Sequence, residues 1–136
     1  MKKLKAYSAD LALLWLRVLM GLGIAYHGYA KVFGGQIDKF AEGVGSMGFP
    51  LPKVFAWAAS LSEFLGGICI TLGLFTRPAA LFVFITMGVA AFIKHGEDPL
   101  KKKELALAYW TMAGALIGLG AGKFSLDYLI QKYRKK

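Results

Sequence analysis

The chain has 136 residues, 57% of them hydrophobic, and a formal net charge of +9. Its charges bunch in MKKLK, HGEDPLKKKE and YLIQKYRKK, leaving long stretches too apolar to surface a soluble domain. The basic residues flank those stretches instead of lining a polar face, so anionic lipid headgroups, not nucleic acid, are the expected counter-charge.

A membrane-crossing helix needs about 20 apolar residues, and four runs are read as spans: 9–33, 53–75, 78–94 and 105–121. The expected fold is all-α, a polytopic membrane protein built as a four-transmembrane-helix bundle in a single domain, 1–136. Lysines precede the first run, as in a secretory signal. The run is too long for that, holds Arg17 inside and lacks a small-residue cleavage site, so it is read as a permanent helix. In the first loop Ile37, Phe40, Val44 and Met47 recur at helical spacing before GFPLP, which predicts a short interfacial helix and a proline-set turn. The third run is short. After the fourth, Ser125 is placed to cap an amphipathic C-terminal helix. Leu126, Leu129, Ile130 and Tyr133 share one face of it, and its basic residues suit an anionic leaflet. Lys and Arg outside the runs put both termini in the cytoplasm, although Lys101, Lys102 and Lys103 argue the other way. Cys69 is the sole cysteine, which excludes an intramolecular disulfide or CxxC pair and reads as packing.

Ionisable groups inside a bilayer are costly and normally face a bundle interior with a partner. Arg17 lies in the first run and Glu63 near the middle of the second. At 100° per residue Arg17, Gly21, Ile24, Gly28 and Lys31 form one stripe, with His27 on its edge. The stripe through Glu63 holds Ala56, Ala59, Ser60, Gly66, Gly67 and Ile70, small enough for another helix to approach closely. Both read as interior faces, and an Arg17–Glu63 ion pair is predicted. Two readings of Glu63 stay open: structural glue, or a proton-handling or ligand-binding group.

With the first span running outward, His27, Lys31, His95, Tyr109 and Trp57 gather towards the outer leaflet. Each has a plainer role. Lys31 can snorkel to headgroups, Trp57, Tyr109 and Trp110 can serve as interfacial anchors, and His95 can end a helix. His27 lies inward of Lys31, beside Gly28, and is read as lining a pocket. The candidate ligand or proton-handling set is therefore Arg17, His27, Lys31, Glu63, His95 and Tyr109. No spaced ligand motif supports a metal, and haem is not expected from two histidines alone. Nor is there a phosphate loop or a nucleophile–base motif.

Five segments in order carry a resemblance: Arg17, His27, Gly28 and Lys31 in the first run, MGFPLP, SEFLGG around Glu63, LGLFTRPAA, and GAGKFSLD. Together, from about Leu11 to Leu129, they resemble the DoxX family. The resemblance implies a four-helix bundle in the bacterial cytoplasmic membrane and an association with redox processes. Members of that family include a small subunit of a thiosulfate:quinone oxidoreductase. Another partners a superoxide dismutase and a sulfurtransferase, and others are linked to quinone or catechol stress. Many relatives carry GPG after the fourth span; this chain has Gly120-Ala121-Gly122, which loosens that turn.

Three functions remain open on the sequence. The leading one is a redox-associated subunit, part of a quinone-linked oxidoreductase, that holds a quinone or other lipophilic ligand. Such a subunit would take its electron carrier from a cofactor or a redox partner protein. The second is a non-catalytic scaffold whose basic tail recruits soluble redox enzymes. The third is a small lipid- or solute-handling protein. Gly114, Gly118 and Gly122 form a small-residue ridge that packs either within the bundle or against a second copy in a homo-oligomer.

Overall fold

In the computed structural model, which describes residues 2–135 and side chains from residue 6 onward, helix accounts for almost all of the chain. Six α-helices follow in order: α1 (Lys2–Phe33), α2 (Ile37–Ser46), α3 (Pro52–Leu72), α4 (Thr76–Val89), α5 (Leu100–Leu119) and α6 (Leu126–Arg134). One π-helical turn, Ala90–Lys94, continues α4. The orientation argument draws on the side chains of Lys2, Lys3, Lys5 and Lys136, which lie outside those described.

The core is apolar but holds buried charges, and large apolar side chains cover the outside. The largest fully buried side chains include Arg17 and Glu63, while Trp15 and Tyr26 are each 71% exposed. Charged residues are almost never fully buried in water-soluble folds unless paired. Three helices, Ala6–Phe33, Pro52–Leu72 and Thr76–Lys94, are long and apolar enough to cross a membrane. α5 matches them in length, but its first turn holds Lys101, Lys102 and Lys103, which dilute its hydropathy.

The expected boundaries shift where glycine ends a helix. The second run stops at Leu72, not residue 75. Gly73 (φ 70°) takes the left-handed conformation, and Leu74 N–H donates to the Cys69 carbonyl (2.8 Å), closing a Schellman turn. α5 begins at Leu100 and ends at Leu119, five residues before and two before the bounds read from hydropathy, with Gly120 (φ 77°) as its stop. α4 starts two residues early, at Thr76.

α1 and α3 run antiparallel with their backbones in close approach. A Cβ on Gly67 would lie 2.6 Å from the Gly21 carbonyl oxygen and 2.5 Å from the Ala25 nitrogen, and one on Gly28 would meet the Phe64 backbone. Gly67→Ala should therefore destabilise the protein by about 1–3 kcal/mol, since two backbones must separate. Gly118 has open space around it, so Gly118→Ala should be neutral or stabilising by up to about 1 kcal/mol. Thermal melts of the two variants in one detergent compare them directly. Of the glycine ridge on α5, Gly114 packs inside the bundle against Phe84.

α2 occupies the first loop, with Ala41 and Val44 buried against Ala56 of α3. α6 is capped by Ser125, whose Oγ accepts from the Tyr128 N–H (3.2 Å), and it buries none of its own residues. Its Asp127 reaches across instead. The carboxylate accepts from the N–H groups of Phe75 (2.7 Å) and Thr76 (2.9 Å) and so caps α4, which has no side-chain cap of its own. Asp127→Ala should cost about 1–2 kcal/mol in the same melt.

Candidate functional site

The polar stripe on α1 divides between two ends of the bundle. Arg17 is fully buried. One of its terminal nitrogens donates to the carbonyls of Ile70 (3.3 Å) and Thr71 (3.2 Å), and the other to that of Phe124. The predicted Arg17–Glu63 pair is therefore corrected: Arg17 closes the C-terminal end of α3, where the last carbonyls lack helical partners. Glu63 pairs with Lys31, whose ammonium hydrogen-bonds both carboxylate oxygens at 3.0 and 2.9 Å. Glu63 is 2% exposed and Lys31 retains partial access.

Above that pair a cavity of about 490 Å³ opens between α1, α2, α3, α4 and α5. His27, Lys31, Glu63, His95 and Tyr109 all line it, so the structure brings five of the six candidate residues together and leaves Arg17 outside. Its size is that of a small-molecule site. Apolar side chains such as Ile24, Ile85 and Met87 make up most of the rest. Tyr109 reaches α1 because Gly23 leaves room: a Cβ there would overlap the phenolic oxygen. The His27 ring meets the Tyr109 ring edge-on, 6.2 Å between centroids. Trp57, which the topology argument had placed in this group, is not part of the lining. Trp110 is no free anchor either; it stacks on Phe84 at 5.0 Å and packs on the core.

The lining also includes Phe40, Lys94 and Lys102, which the sequence does not place at the site. The ring of Phe40 on α2 lies under Lys31, 4.3 Å from its ammonium. The apolar periodicity of the first loop carried a signal for Phe40. Lys94 and Lys102 look like loop charges in sequence, because the π turn that places Lys94 has no periodic signature.

At the rim His95 Nδ1 donates to Asp98 Oδ2 at 2.8 Å. That hydrogen bond, ahead of the charges of Lys102, His95 and Lys103 and against some desolvation, holds the Asp98 carboxyl below its ordinary range. A depressed carboxylate stabilises the fold above its unfolded pKa and loses that contribution as pH falls through the folded value. The rim should thus hold at neutral pH and loosen only in acid below the usual carboxylate range. His95→Ala should move the Asp98 titration up towards its ordinary range, read by carboxyl NMR. Among the described residues no three His, Cys, Asp or Glu side chains cluster as a metal site would require.

Comparison with known proteins points to one family. The DoxX family profile matches residues 12–96. Inner membrane protein YqjF of Escherichia coli is 32% identical over 137 aligned positions, covering 97% of this chain and 98% of that protein. Inner membrane protein YphA of the same organism is 34% identical over 107 residues, 78% of this chain and 66% of that protein. An uncharacterized protein of Haemophilus influenzae is 34% identical across 91% of this chain and 92% of its own length. No solved structure gives a significant match.

Proposed function

The chain belongs to the DoxX family, and from that premise we propose that it is an inner-membrane subunit that binds a quinone-like or other lipophilic ligand in its helix bundle. The names of the two Escherichia coli relatives support the location. In this reading α5 is the fourth span, both termini are cytoplasmic, and the cavity opens towards the outer leaflet.

The observation that carries the reading is the cavity's composition: apolar walls ending in His27, Tyr109 and the Lys31–Glu63 pair. Among the described residues neither the His27 ring nor the Tyr109 hydroxyl has a hydrogen-bond partner. They fit a carbonyl or hydroxyl head group, with His27 able to donate or accept. The chain's own residues would bind and orient such a group, and electron transfer would fall to a partner.

The purified protein is titrated with menadione while tryptophan fluorescence is followed. Saturable quenching is expected. His27→Ala should weaken binding five- to tenfold, about one hydrogen bond, with an unchanged melt because His27 is exposed within the cavity wall. A preparation that shows no saturable binding and carries no co-purified quinone or lipid would defeat the reading.

One observation favours the scaffold as a second reading. α6 presents Leu129, Ile130 and Tyr133 uncovered, beside Lys132 and Arg134. Truncation to test it must begin after Tyr128, because Asp127 caps α4. Loss of a co-purifying enzyme on that truncation, with ligand binding intact, would favour the scaffold.

A further inference from the structure

The cavity is unevenly charged. Lys31, Lys94 and Lys102 line it against one carboxylate, Glu63, which Lys31 already engages. Asp98, the acid at the rim, is taken by His95 and only feels the field of Lys102. Among the described residues Lys94 and Lys102 form no ion pair. Two of these ammonium groups share one ring: Lys31 stands 4.3 Å and Lys94 5.7 Å from the Phe40 centroid. Like charges gathered on one ring repel unless an anion lies between them. Lys94 reaches this position from the π turn Ala90–Lys94, and single π turns inside helices recur at functional sites. Lys31 has three N–H donors; two serve Glu63 and one is left.

We propose that the ligand is an anionic lipophile, with its apolar body against Ile24, Ile85 and Met87. One carboxylate or phenolate-type head sits between Lys31 and Lys94 above Phe40. This rests on the cavity being a ligand site and narrows the ligand class. Glu63 sets the limit to the positive charge: it neutralises Lys31 enough for the deep end to stay dry, while Lys94 and Lys102 keep the mouth cationic. A neutral quinone would meet the same walls without using either free ammonium.

Two matched pairs test this at about pH 8 in one detergent, with the full chain. Dodecanoate against dodecanol represents a chain-type source, and 2-hydroxy-1,4-naphthoquinone against 1,4-naphthoquinone a ring-type one. In at least one pair the anion should bind about tenfold tighter than its neutral twin, the effect of one hydrogen bond to a charged group. The pair that shows the preference identifies the source. Lys94→Gln with Lys102→Gln should abolish the preference and leave the neutral twin's affinity and the melt unchanged, since both side chains are exposed. If neutral twins bind as tightly as anions, or the double variant weakens both alike, the anionic assignment is overturned and the lipophilic cavity stands. If none of the four compounds binds, both readings fall.

Discussion

Replacing Arg17 with leucine should cost about 2–5 kcal/mol, a large share of a fold's stability, although Arg17 lies outside the cavity. Its guanidinium is the donor for the carbonyls of Ile70, Thr71 and Phe124. Two of these belong to the last turn of α3, the negative end of that helix's dipole. Without Arg17 the Ile70 carbonyl keeps the Gly73 N–H (3.1 Å), while the half-buried carbonyls of Thr71 and Phe124 lose this donor; an unsatisfied buried acceptor costs about 1–3 kcal/mol. The same end is tied twice more. Asp127 caps α4, and Asp10 Oδ1 accepts from the Lys123 N–H at 3.0 Å. Arg17→Lys should recover little, because a single ammonium cannot reproduce the planar fork that spans three carbonyls. Denaturant titration in mixed micelles measures both variants. An Arg17→Leu protein that resists denaturant like the parent would show that the helix end does not depend on this residue.

That network also says what two of the recognition segments are for. LGLFTRPAA supplies the Gly73 stop of α3 and the start of α4, and GAGKFSLD supplies the Phe124 carbonyl and the Asp127 that caps α4. The two are joined through Asp127, whose own N–H donates to the Gly73 carbonyl (2.8 Å), so they form one closed end of the bundle, not the cavity. The interior faces themselves were legible. Helical period alone picked out Arg17, Gly21, Ile24 and Gly28 on α1, and Ser60, Glu63, Gly66, Gly67 and Ile70 on α3, all of which are buried. The pairing between them was not legible, for two reasons. Register between antiparallel helices is set by contacts such as Gly28 on Phe64, which periodicity within one helix does not carry. Side chains also lean towards their helix's N-terminus. On α1 that lean carries Arg17 towards the end of α3 and away from Glu63, while it carries Lys31 inward onto Glu63. Lys94 was missed because a π turn changes which face a residue meets without changing the hydrophobic pattern.

Lys31→Met should destabilise the protein more than Glu63→Gln, and combining the two decides between the two roles open to Glu63. Removing the ammonium strands a carboxylate that is 2% exposed, at a cost of about 3–5 kcal/mol. Removing the carboxylate charge leaves Lys31 at 24% exposure, where its flexible stem can carry the ammonium towards the mouth. That variant should lose only about 1–2 kcal/mol. The double variant Lys31→Met with Glu63→Gln strands no charge and should recover most of the stability, since a buried ion pair contributes little over a neutral replacement. Structural glue predicts that ligand binding returns with stability in the double variant. A ligand-binding pair predicts that binding stays lost while the melt recovers, because the donor that meets the head group is gone. Menadione titration and thermal melting of the four proteins separate these outcomes, since the two readouts move together in the first case and part in the second.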